Sequence, residues 1–234
     1  MAEEDEPDPN IERAFMFAKY GEYLEFKALR ESATPVDPKA VDSQGFTYLI
    51  WSARNGHTKM TNYLLGDGAD KESACSHGLR AMHHACNNNR EAVVDILIES
   101  KCELNPLDDV GNTPLIYAAS RGILNLVNAL VAGGADPKAT NKNGQTALHK
   151  AVIGGHIGIV RRLIELKLDM DQQDKEGNTP VHFAARTGHL MVFKLLLESK
   201  GRVDINNKDG KSPFAYAQEY KALKPLVVKE EAQE

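Results

Sequence analysis

The sequence has few of the residues that staple or catalyse. Of its 234 residues only three are cysteines, Cys75, Cys86 and Cys102, an odd number without CxxC spacing. That argues against a disulfide framework and a structural zinc site, and favours small buried thiols in a reducing compartment. Aromatic residues make up 6%, with a single tryptophan, Trp51. No apolar run approaches the roughly 20 residues needed to span a bilayer, so no membrane partner is expected. Excess positive charge is also missing. The net charge is −5, and the opening "MAEEDEPDPN" alone carries five acids and no base. The remaining body is near neutral, which gives no electrostatic reason to expect nucleic acid as a partner. An acidic start is the wrong charge for a secretory or mitochondrial leader. A cytoplasmic or nuclear protein is expected, with residues 1–9 a disordered tail and 230–234 a charged one.

What the chain does have is a period. Gly45, Gly78, Gly111, Gly144, Gly177 and Gly210 are each separated by 33 residues. Three positions after each comes proline or a substitute (Tyr48, Ala81, Pro114, Ala147, Pro180, Pro213), then an aliphatic or aromatic residue, and often histidine (His83, His149, His182). A second glycine follows at Gly56, Gly122, Gly155 and Gly188, and an apolar run ends the unit, as in "LLL" at Leu195. Each unit reads as a hairpin tip followed by two antiparallel helices. The tip glycine supplies positive φ. Thr47, Thr113, Thr146, Thr179 and Ser212 stand where an N-cap belongs, with Pro114, Pro180 and Pro213 at the first helical position.

A magnitude explains the repetition. Ordering one unit of 33 residues costs on the order of 50 kcal/mol. Offsetting that by burial needs on the order of 2,000 Å² of apolar surface. Two short helices facing only each other cannot hide that much, so neighbouring units must stack.

The period and the words "GNTPLIYAASRG" and "GNTPVHFAARTGH" resemble the ankyrin repeat family, from about Asn10 to Lys229. The resemblance implies an all-α solenoid of helix-turn-helix units with short β-hairpin tips, curved with a concave face. Its units are expected at 10–41 (an N-terminal cap), 42–74, 75–107, 108–140, 141–173, 174–206 and 207–229 (a C-terminal cap), as one domain. In the family the recurring histidine ties neighbouring tips, so His83, His149 and His182 are expected to be structural. The "GDGAD" at Gly66 and "AGGAD" at Ala132 lack a full calcium or phosphate ligand set and are expected to be connections. No catalytic residue, metal ligand or cofactor is expected.

Three irregularities stand out. The link "SATPVDPKAVDSQG" is two residues long by register. Gly201 falls one position late, which predicts a bulge. In the third unit Cys75 replaces the usual aspartate and Arg80 the capping threonine, which predicts a weak point costing about 1 kcal/mol.

The family implies a non-catalytic adaptor, scaffold or inhibitor, a monomer that grips another protein. The alternative is a targeting or regulatory module acting with a larger enzyme or membrane assembly. In size and all-repeat architecture the chain is also similar to a proteasome assembly chaperone, and its start and charged end read as complete. The implied contact residues are Ser43, Gln44, Phe46, Trp51, Arg54 and Asn55, then His77, Leu79, Asn87 and Asn88. Asp109, Val110, Asn112, Tyr117 and Arg121 follow, then Lys142, Asn143 and Gln145, and finally Lys175, Glu176, Asn178, Arg186, Lys208 and Lys211. Phe46, Trp51, Leu79, Val110 and Tyr117 read as apolar anchors, and the later lysines as a basic stretch for an acidic partner. Asn105, in "LIESKCELN", resembles a site of asparaginyl hydroxylation seen in this family.

Overall fold

The computed structural model describes residues 9–231, which form fourteen helices. The acidic segment 1–8 and residues 232–234 lie outside the described residues. The chain divides into two compact units, the first ending at Asp109 and the second starting at Val110. In the first unit, α1 (Pro9–Tyr20), α3 (Tyr48–Asn55) and α5 (Ala81–Asn87) pack in one row. Their partners α2 (Tyr23–Arg30), α4 (Thr58–Gly66) and α6 (Glu91–Glu99) pack in a second. The second unit repeats the plan. Here α7 (Pro114–Arg121), α9 (Ala147–Ile153), α11 (Pro180–Thr187) and α13 (Pro213–Glu219) make the first row. Behind them stand α8 (Leu124–Gly133), α10 (Ile157–Glu165) and α12 (Leu190–Glu198), with α14 (Lys224–Glu231) packed on α13. Pro225 lies in the first turn of α14, and the helix continues into the segment expected as a tail.

The first-row helices start as the sequence reading requires. Thr47, Thr113, Thr146, Thr179 and Ser212 sit in extended backbone, and each hydroxyl accepts the N–H three residues on. The hairpin tips are short. They are turns closed by one bond across their arms, such as Asn141 N–H to the Gln145 carbonyl at 3.0 Å. Strand-like pairing among the described residues is limited to an isolated bridge between Ala74 and Arg80. The arms are too short for a ladder because the next residue already caps a helix.

Neighbouring tips are bonded in series within each unit. Ser76 N–H donates to Gln44 and Asp109 N–H to His77; further on, Lys142 donates to Val110, Lys175 to Asn143 and Lys208 to Glu176, at 2.9–3.1 Å. This contact explains the tip glycines. A Cβ on Gly111 would lie 2.7 Å from the Lys142 amide nitrogen, and its φ of 78° is unfavourable to any side chain.

Positive φ recurs at three places per repeat. One column is the tips; the second closes the first-row helices at Gly56, Asn89, Gly122, Gly155 and Gly188; the third follows the second-row helices at Gly68, Lys101, Gly134, Lys167 and Lys200. Lys200 keeps the 33-residue register from Lys167, so no bulge forms at Gly201. Gly201 is glycine for another reason, since a Cβ there would meet Val181 at 2.9 Å and the Leu196 carbonyl at 3.1 Å. The extra two residues of the 31–44 link lie in a stretch without helix between α2 and α3.

The third column yields a prediction. Lysine in left-handed backbone costs about 1 kcal/mol relative to glycine. Lys167→Gly is therefore expected to raise stability by about that amount, and Gly122→Ala to lower it by more than about 2 kcal/mol through φ and contact with the next repeat. Denaturant midpoints of the three proteins decide this.

Candidate functional site

Two sets of side chains belong to the stack and are unavailable for anything else. In the first, His149 and His182 each accept their own N-cap N–H at Nδ1, from Thr146 and Thr179. That assigns the proton to Nε2, which donates to a carbonyl of the next repeat, Asn178 at 3.4 Å and Lys211 at 3.2 Å. His83 does the same from Arg80 N–H to the Pro106 carbonyl at 3.1 Å. Burial pushes the His149 pKa down to about 4 and lowers that of His182, which keeps both rings neutral.

The second set was not anticipated from sequence. Residues at the start of the second-row helices reach back to the preceding repeat. His57 bonds the Lys19 carbonyl, His156 that of Ser120 and His189 that of Ile153, at 2.8–3.1 Å. Arg90 and Tyr220 take the same place, on Arg54 and Arg186. Each ring or stem lies against the closing glycine, with His156 2.7 Å from where a Gly122 Cβ would stand. The signal was the dipeptide Gly-His at 56–57, 155–156 and 188–189.

At four of the six tips the residue after the glycine is also committed, which removes several expected contact residues from the free surface. Phe46 is only 5% exposed, its ring 4.9 Å from those of both Trp51 and His84. At three tips of the second unit this position is a buried or part-buried amide bridge. Asn112 accepts from Asn141 at 3.0 Å, Gln145 donates to Asp174 at 3.3 Å, and Asn178 accepts from Asn207 at 2.9 Å. Leu79 is half-buried.

The remaining candidates stay on the surface. In the first unit Ser43, Gln44 and His77 are exposed at tips, and Asp109 is exposed beside them. Asn87 and Asn88 are half-exposed at the end of α5, where Asn88 donates to the His84 carbonyl at 2.8 Å. In the second unit Val110 is 56% exposed. Arg121, Lys142, Asn143, Lys175, Glu176, Arg186, Lys208 and Lys211 are exposed, and Tyr117 is half-buried. Asn105 is half-buried in the connection after α6.

Trp51 sits at the centre of a compact cluster in the first unit. Asp42 accepts Gln44 and Phe46 N–H with one oxygen and the Trp51 indole Nε1–H, at 2.8 Å, with the other. The Arg54 guanidinium lies 5.3 Å from the indole and 5.5 Å from the Phe46 ring, and the Lys19 ammonium 5.1 Å from the indole. Burial, then the Arg54 charge, pushes the pKa of His84 down to about 4, so it adds no positive charge here. The second unit has isolated pairs at the same register, Arg186 over Phe183 at 4.8 Å and Lys211 over Tyr216 at 5.2 Å.

The third repeat solves its missing cap differently. Arg80 has no acceptor, so only the return bond to His83 survives. Its guanidinium instead bridges Glu72 at 2.7 Å and Glu103 at 2.6 Å, and the other Glu72 oxygen accepts Glu103 N–H. The expected weak point therefore carries its own clamp. Cys75, replacing the acid that accepts tip N–H groups elsewhere, places its sulfur 3.8 Å from His84 Nε2.

Comparison with known proteins agrees with this arrangement. A family profile described as "Ankyrin repeats (3 copies)" matches residues 69–141, 120–209 and 166–232, and one described as "Ankyrin repeat" matches 44–75. The chain belongs to the ankyrin repeat family. Its similarity to curated proteins is confined to part of each. It is 34% identical over 100 residues to the palmitoyltransferase AKR1 of Lachancea kluyveri, covering 41% of this chain and 14% of that protein. Over 118 residues it is 32% identical to the mouse B-cell lymphoma 3 protein homolog, covering 49% and 26%. With the bovine inactive serine/threonine-protein kinase TEX14 it shares 29% over 106 residues, covering 45% and 7%. Among the described residues no helix is long and apolar enough to cross a membrane.

The ankyrin histidines give a pH prediction. His149 has a folded pKa of about 4 against about 6.5 when unfolded. The unfolded chain therefore binds the proton more readily between those values, so stability is complete above about pH 6.5 and falls on acidification toward pH 4. The His149 contribution to unfolding free energy is expected to drop between pH 7.5 and 5 by on the order of 1–2 kcal/mol. His149→Gln, which keeps a side-chain N–H donor, is expected to flatten that slope in denaturant titrations.

Proposed function

We propose that this ankyrin repeat chain is a non-catalytic adaptor, scaffold or inhibitor that holds a partner protein on its tips and first-row helices. The observation that carries this reading is the division of labour among side chains. The buried histidines and the residues that start the second-row helices are spent on stacking, whereas the tips and the ends of the first-row helices turn side chains to solvent. An aromatic platform rimmed by polar groups is the composition of a binding hot spot. That supports Trp51, rather than Phe46, as the principal anchor of the first unit, with Asn55, Asn87 and Asn88 as its polar rim. In the second unit Lys142, Lys175 and Lys208 occupy equivalent positions on successive tips, which suits a partner with acidic surface. The monomeric state and the cytoplasmic or nuclear location belong to the same proposal.

A second reading, a regulatory or targeting module beside a larger enzyme, draws on the partial match to a palmitoyltransferase. It uses the same face. A photo-crosslinking amino acid placed at Asn88 or Lys175, and for comparison at Asp95 or Lys194 on second-row helices, is to be irradiated in host lysate. Specific adducts with a shared partner are expected from the first pair only, and the adduct's identity separates the two readings. Equal or reversed crosslinking would place the binding face elsewhere.

A further inference from the structure

We infer that Lys19, Trp51 and Arg54 form a receptor for an acidic segment of the partner polypeptide, a deepening of the binding-face reading above. Two of the first unit's other arginines are neutralised within the chain. Arg30 pairs with Asp67 at 2.8 Å and Arg80 with both Glu72 and Glu103. Lys19 and Arg54 are treated differently. Among the described residues neither forms an ion pair, and both are held over the one indole. The nearby acid, Asp42, keeps its charge but pairs with neither cation: one oxygen accepts two backbone N–H groups and the other the Trp51 indole N–H.

Two positive charges sharing a ring repel each other, and the ring offsets this only weakly since a cation–π contact leaves the charge un-neutralised. A carboxylate entering from solvent would relieve that repulsion, and every other feature holds the pair ready for it. The Lys19 carbonyl accepts from both Asn55 Nδ2 at 3.0 Å and His57 Nε2 at 2.8 Å, which pins the end of α1 to α3 and α4. Asp42 fixes the indole by its edge, so its role is to support the cations rather than to donate to a ligand. Charge complementarity commits the occupant to Asp- or Glu-bearing peptide. Two cations on a near-neutral body are too few to track a phosphate backbone, whose affinity grows with the number of phosphates neutralised.

Trp51 is the chain's one tryptophan, so its fluorescence reports on this site alone. The full chain is to be titrated with a decaglutamate peptide, a decalysine peptide and a ten-nucleotide oligothymidine. Collisional quenching by iodide and by caesium is measured in parallel. Iodide is expected to quench more strongly than caesium, and decaglutamate alone to give a saturable change. Lys19→Gln and Arg54→Gln should each weaken decaglutamate about fivefold, the scale of one exposed ion pair, whereas Lys138→Gln leaves it unchanged. Equal quenching by the two ions, no saturation with decaglutamate, tighter binding of oligothymidine, or unaltered affinity in both variants would each overturn the proposal. Crosslinks from Asn88 that persist without decaglutamate binding would reject the acid selectivity and leave the binding face standing.

Discussion

Each repeat of this protein is completed by hydrogen bonds and side chains that arrive from the next one, and everything else is arranged around that dependence. Tip N–H groups donate to the preceding tip, a neutral histidine ring ties a cap to the following repeat, and a second histidine reaches back to the end of the preceding helix. Buried backbone groups left unpaired would cost about 1–3 kcal/mol each, so an isolated repeat loses these bonds as well as its apolar contacts. The glycines follow from the same constraint. They stand where a neighbour's backbone or ring comes too close for a Cβ, and they also carry positive φ.

The fold was legible because its determinants repeat. Caps, prolines and glycines are local devices with fixed spacing, and six copies make the register unambiguous. Less was legible where one position serves two neighbours. Phe46 looked like a tip anchor, yet its ring is enclosed by Trp51 and His84. Asn112, Gln145 and Asn178 looked free, yet each is bonded to an acid or amide of the next tip. Those contacts join residues 29 apart, a separation that hydrophobic periodicity does not report. Gly201 misled for a related reason: the left-handed residue is Lys200, and a lysine gives no hint of positive φ.

The third repeat shows how much the grammar can bend. A threonine cap satisfies one N–H with one hydroxyl. Arg80 cannot, but it recruits Glu72 and Glu103 from the connections before and after its own helix pair. The substitution exchanges a local bond for a clamp between successive repeats. Such a charged triad is partly solvent-exposed and correspondingly modest in strength. It ties the connections before and after the helix pair to one guanidinium, and a neutral residue at Arg80 would leave two carboxylates without their shared cation.

The same reasoning narrows where recognition can reside. A residue that closes the stack cannot change without loosening it, so in the proposed reading recognition falls to exposed positions, the tips and the ends of the first-row helices among them. Within that set the sixth residue after each tip glycine is distinctive. It is tryptophan, histidine, tyrosine, lysine, phenylalanine and tyrosine in turn, and cations lie over Trp51, Phe183 and Tyr216. Where the aromatic ring is buried, as at Phe183, its cation is bound to the outside of the core. Around Trp51 the ring itself is half-exposed, two cations share it, and the Asp42 carboxylate holds the indole edge. One register position thus gives packing in one repeat and an unneutralised, pre-positioned charge in another, and the difference is set by which neighbours the adjoining repeats supply.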